Sequence, residues 1–250
     1  MKKIITATVA AGLIAGTAVA EVSTTFDFAS AYVYRGVTFN DGFVFQPGIE
    51  AAGLGLPEEY GSVAVGAWAN MDFGDYDDTL ATSEFSEVDL YASYSLPTLV
   101  EGLDLFVGYC DYTYPYGGGT SDKEASVGAG YEISGVGLGL TYYQGIGGAI
   151  NGSSYVEFDV GYGIDFTEEL SGSIDAGFAF ADYEGGESGL NDYDIGASVV
   201  YALGEVWSAG ASLTYIGQGD DEVLPDYNSI TGDLGYDVSV VGMLSLGASF

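Results

Sequence analysis

Histidine is absent from this 250-residue chain, cysteine occurs once, and four basic residues stand against 37 acidic ones. Each shortage excludes something. Without histidine the commonest general base and the commonest metal ligand are missing. The lone Cys110 leaves no intrachain disulfide to form and reads as an inert small side chain. Two of the four cations are Lys2 and Lys3, so Arg35 and Lys123 are the only others. A formal charge of −33 repels nucleic acid and draws cations. The same acidity also suits salty or divalent-rich surroundings, where a dense anionic surface is screened. Proline is scarce at 5, whereas glycine reaches 40 and tyrosine 21. Beyond residue 20 no run of about 18 apolar residues occurs, so the sequence offers no membrane-spanning helix.

What is present begins with a leader. Lys2 and Lys3 precede a short apolar run from Ile4 to Val19 without an acid, and Ala18-Val19-Ala20 is a small-x-small cleavage site. Residues 1–20 therefore read as a secretory signal peptide, with a mature chain beginning near Glu21. The alternative, a retained membrane anchor, wants a longer apolar run.

From there to the end the chain alternates. About twelve segments carry apolar residues at every second position, the period of a strand with unlike faces. The first, about 22–36, sets Val22, Phe26, Phe28, Tyr32 and Tyr34 against Ser23, Asp27, Ala29, Ala31 and Arg35. The others centre near residues 48, 67, 91, 106, 129, 139, 160, 177, 197 and 211, and the last runs from Val238 to Phe250. Short turns such as Ser134-Gly135, 165–169 and 202–205 follow the even segments, and longer polar loops follow the odd ones. The first loop, Thr38 to Gly42, is short for its side, and the second turn, Leu54 to Gly61, is long. A soluble sandwich also alternates, but here the apolar face is unbroken, the other face is crowded with Gly, Ala and Ser, and tyrosines recur near strand ends. The expected fold is all-β: a transmembrane antiparallel up-and-down barrel of about 12 strands over residues 21–250, oily outside and polar inside.

The closing strand, with Val240, Leu244, Leu246 and terminal Phe250 on one face, resembles the C-terminal signal through which outer-membrane barrels engage the barrel assembly machinery. Four stretches, Ser30-Ala31-Tyr32-Val33-Tyr34-Arg35-Gly36, Trp68-Ala69-Asn70-Met71-Asp72-Phe73-Gly74, Glu87-Val88-Asp89-Leu90-Tyr91 and Tyr112-Thr113-Tyr114-Pro115, resemble the TorF-type porins of proteobacterial outer membranes. The resemblance is strongest over about residues 26–116 and looser beyond. It implies a barrel of a Gram-negative outer membrane, in contact with its lipids, and brings no catalytic residues.

The inward face would hold Asp27, Glu50, Asp89, Asp104, Glu124, Glu132, Glu157, Asp159, Asp175 and Asp194, with Arg35 as the cationic neighbour. Bare carboxylates stay ionised only among water or cations, so the interior is expected to be wet, whether as a narrow pore or a plugged one. Glu157, Asp159 and Asp175 should share one patch of wall. The residues expected to line a pore are Arg35, Glu50, Asp89, Glu157, Asp159, Asp175 and Asp194. Arg35 either narrows the path or pairs with a carboxylate such as Asp27. Inward Trp68, Tyr91, Tyr112 and Tyr143 read as packing ahead of a sugar track. Together these residues describe a porin-like channel for small hydrophilic solutes or ions that prefers cations, because rings of carboxylates favour their passage. The competing reading is a structural or adhesive surface protein in which Asp72, Asp75, Asp77 and Asp78, or Asp220, Asp221 and Glu222, hold Ca²⁺. No cofactor is expected, and nothing sets two acids around a closed cleft for hydrolysis.

Overall fold

The computed structural model describes residues 21–54, 58–74, 83–98, 100–116, 119–226 and 235–250. The expected signal peptide at 1–20, with its Ala18-Val19-Ala20 site, and the loop acids Asp75, Asp77 and Asp78 lie outside the described residues. The strands are β1 (Glu21–Ala29), β2 (Tyr32–Tyr34), β3 (Val37–Asn40), β4 (Val44–Ala52), β5 (Ser62–Asp72), β6 (Glu84–Leu96), β7 (Leu103–Thr113), β8 (Asp122–Ile133), β9 (Val136–Gly147), β10 (Ser154–Asp165), β11 (Leu170–Asp182), β12 (Ser188–Ala202), β13 (Trp207–Gln218) and β14 (Val240–Ser249).

Twelve of them, β1 and β4 to β14, pair antiparallel with their sequence neighbours and close into a barrel where β1 meets β14. At this seam Phe26 stands opposite Leu246 and Phe28 opposite Leu244. Val22 and Phe250 exchange both backbone hydrogen bonds, at 2.9 and 3.2 Å. Closure leaves the twelve described wall strands without an open sheet edge, the condition a barrel must meet to sit in hydrocarbon.

The faces are inverted relative to a water-soluble fold. Leu213 is 60% exposed and Leu244 64%, and Phe28, Leu90, Val127, Leu140, Ile174 and Ile195 are also exposed. All lie on the outward parity of their strands. Exposed Tyr131, Tyr162, Tyr201 and Trp207 ring the end where the tight turns lie, and Tyr109, Tyr142, Tyr193 and Tyr215 stand toward the loop end. An aliphatic band between aromatic girdles is the outer surface of a membrane barrel. Among the described residues buried polar side chains are as common as buried apolar ones.

The structure corrects the first strand. The wall strand ends at Ala29, not near residue 36, and residues 30–43 form a long loop that carries the β2–β3 hairpin. Arg35 (φ +51°) and Gly36 (φ +74°) make its two-residue turn. Positive φ at both central positions is the turn type whose twist suits a hairpin, and Ser134-Gly135 repeats it between β8 and β9. The first loop is therefore not short. The chain leaves the wall at Ser30, whose N–H donates to the Gly242 carbonyl at 2.9 Å and whose hydroxyl accepts the Gly242 N–H at 2.9 Å.

A charge placed on the outer band tests the inversion. Leu213→Arg is expected to lower unfolding stability in lipid vesicles by about 2–4 kcal/mol. Ser212→Arg, on the polar inward face, should cost far less. Equilibrium denaturation of both variants in the same vesicles measures the difference.

Candidate functional site

The β2–β3 hairpin springs from between β1 and β4 yet touches walls far around the barrel. Tyr32 packs on Trp68 of β5, ring centroids 5.5 Å apart, and donates its hydroxyl to Glu87 of β6 at 2.8 Å. The Tyr34 hydroxyl is hydrogen-bonded to that of Tyr112 on β7 at 3.1 Å. Arg35 reaches β8, β9 and β10, and its carbonyl accepts the side-chain N–H of Asn191 on β12 at 2.8 Å. In a closed barrel one hairpin meets all these strands only from within. Tyr32 and Tyr34, expected on the outward face, are therefore inside. Alternation is the same in a wall strand and in a hairpin that has left the wall.

Arg35 is the pivot. Its terminal nitrogens donate to the two oxygens of Glu124 at 2.7 and 2.9 Å, a bidentate pair. The rings of Tyr34, Tyr143 and Tyr155 surround the guanidinium carbon at 4.9, 4.3 and 4.4 Å. The partner is thus Glu124, 89 positions away, and not Asp27. At the base, Asn40 donates to Asp72 Oδ1 at 2.7 Å, and Asn70 donates to the same oxygen at 2.9 Å. From the last loop, the N–H groups of Asp237 and Val238 donate to the Thr38 hydroxyl at 3.2 and 3.0 Å. Buried Leu224 packs beside Gly36, where an added Cβ would collide with it. The inward rings of Trp68, Tyr112 and Tyr143 are the seat of this hairpin.

Three β-bulges interrupt the barrel wall. Each lies at the loop end: at Ser86 opposite Asn70–Met71, at Ile146 opposite Lys123–Glu124, and at Asn191 opposite Ala179–Phe180. A bulge re-aims a side chain. The one in β12 turns fully buried Asn191 onto the hairpin, beside Asp192 whose carboxylate accepts the Tyr155 hydroxyl at 2.8 Å. Strict alternation misses Asn191 and Asp192, because the bulge breaks the period at that point.

The other acids fall into three places. Glu157, Asp159, Asp175 and Asp194 come together on β10, β11 and β12. Asp159 and Asp194 both stand opposite Gly177 in the register. Their oxygens lie 3.0 and 3.2 Å from the point a Gly177 Cβ would take, so glycine there leaves room for both carboxylates. Asp175 is one pair nearer the turn end, opposite Gly161 and Gly196. Asp89 stands apart, buried on β6 beside Glu87; its Oδ1, like Asp72 Oδ2, has no hydrogen-bond partner. Glu50 stands toward the turn end on β4, beside the Tyr91 hydroxyl. Among the described residues no group of three acids converges as a metal site, and Asp220 Oδ1 instead accepts the Glu222 N–H at 3.0 Å.

The clamp makes Arg35 a protected tryptic site. Glu124→Ala removes one partner of a buried pair, a loss of about 3–5 kcal/mol. Trypsin is then expected to cut after Arg35 about 100-fold faster or more, whereas the native protein resists. Fragment masses over a digestion time course read the result.

No family model matches the sequence, and a search of curated proteins also finds no match. Solved structures do share the fold. An outer-membrane channel from Pseudomonas putida F1 superposes with a TM-score of 0.53 at 8% identity, over 95% of this chain and 97% of that one. A KdgM porin gives 0.52 at 7%, over 92% and 99%, and a NanC porin 0.50 at 9%, over 93% and 99%. The chain thus has the closed-barrel fold found in outer-membrane porins and channels.

Proposed function

We propose that this protein is a porin of a Gram-negative outer membrane, related to the TorF-type porins, that lets small hydrophilic solutes diffuse passively and favours cations. The observation that carries the proposal is the imbalance of charge inside the barrel. Glu157, Asp159, Asp175 and Asp194 line adjacent strands, and the guanidinium nearest to them is already bound by Glu124. Carboxylates that the protein leaves uncompensated draw cations into the lumen.

In this reading the long loops face outward and the tight turns and both strand termini face the periplasm. The belt meets lipid, and β14 with Phe250 is the segment presented to the barrel assembly machinery. No catalytic role is assigned to a chain without histidine.

Reversal potentials in planar bilayers under a potassium chloride gradient test the proposal. A preference for potassium over chloride is expected at neutral pH. It should fall in Asp159→Asn/Asp194→Asn, and also on acidification. Protonation removes a carboxylate's charge, so the preference is held at higher pH and lost as pH falls and the lumen acids take up protons. An anion-selective protein refutes the reading.

A further inference from the structure

Arg35 is gripped by groups that the wall arranges without it. The Tyr112 hydroxyl donates to Glu124 Oε1 at 3.0 Å, the Tyr143 hydroxyl to Glu157 Oε2 at 3.4 Å, and the Tyr155 hydroxyl to Asp192 Oδ1 at 2.8 Å. None of these three bonds involves the hairpin. They fix a carboxylate and two aromatic faces from β7, β8, β9, β10 and β12 into one box. The guanidinium enters that box with two N–H donors on Glu124 and its carbon 4.3 and 4.4 Å from the ring centroids. A fork of parallel donors on a carboxylate, with ring faces alongside, recognises a planar delocalised cation. A metal ion or a compact ammonium uses only part of it.

We propose that Glu124, Tyr143 and Tyr155 form a binding site for small guanidinium-bearing solutes, with Arg35 as its tethered internal occupant. This deepens the channel reading and rests on it, by naming the class of solute that the acidic lumen passes. A tethered group competes at an effective concentration of about millimolar, so a free guanidinium at similar concentration exchanges with Arg35. The next acid is already at hand. Glu157 accepts the Tyr143 hydroxyl, and Asp159 and Asp194 follow toward the turn end. The hairpin and the solute thus share one receptor, and passage requires the hairpin to yield it.

The test is a calorimetric titration of refolded protein in detergent with methylguanidinium. Arg35→Ala vacates the site and is expected to bind saturably in the millimolar range. The native protein, whose arginine competes, should bind more weakly, by a factor of about two or more. Adding Glu124→Gln to Arg35→Ala should weaken binding by about tenfold or more. If Arg35→Ala does not refold, Arg35→Lys replaces it, because one ammonium does not bridge both oxygens as the fork does. Absence of binding by the vacated protein, or equal binding with and without Glu124, overturns the site. Bilayer selectivity on the same preparation separates the two claims. A cation-selective protein that binds no methylguanidinium refutes the receptor alone; one that binds it but conducts nothing refutes the channel and, with it, the solute class.

Discussion

Everything in this molecule follows from the pairing of β1 with β14. A strand edge in hydrocarbon leaves a row of amides without partners, each costing several kcal/mol, so the sheet must meet itself. Here the meeting is complete to the last residue, with Phe250 and Val22 bonded in both directions. Closure then dictates the chemistry of both faces. The outside takes the aliphatic band and its tyrosines. The inside becomes the place for groups that in a soluble protein would face bulk water.

That inside is divided along its length. The loop end is filled by the β2–β3 hairpin, its clamp and the last loop, and it holds the described apolar clusters: Ala29, Tyr32 and Val44 in one, Tyr155, Ala179, Ala181 and Val223 in the other. Nearer the turn end the wall of β10, β11 and β12 is rich in glycine, serine and carboxylate. One part is therefore packed like a small protein core and the other is lined with polar groups. The charge of Arg35 is neutralised at the boundary by Glu124, and among the described residues no other ion pair reaches the acids beyond it.

The barrel was legible in the sequence because its signal is local. A two-residue period needs only neighbouring residues, and parity by itself sets Glu157, Asp159 and Asp175 on one face of adjacent strands. Contacts across the lumen leave no such trace. Tyr32-Val33-Tyr34 alternates like any wall strand, so nothing in its period shows that the chain has turned inward. The available clue was chemical. Arg35-Gly36 has the form of a two-residue turn, like Ser134-Gly135. A rare cation at the tip of such a turn, in a chain so rich in acids, belongs against a buried carboxylate. Asn191 was hidden for another reason: a bulge shifts register by one and carries no compositional mark.

Thr38 carries a consequence for the order of assembly. The clamp joins Arg35 to Glu124, 89 positions along, while the Thr38 hydroxyl receives Val238 from 200 positions away. Contacts so remote form slowly, because the chain between them must be ordered first. Both bonds lie inside a cylinder that exists only after β1 meets β14. The hairpin therefore finds its acid and its cover together, when the wall shuts around it, and the closing strand fixes the plug as well as the barrel.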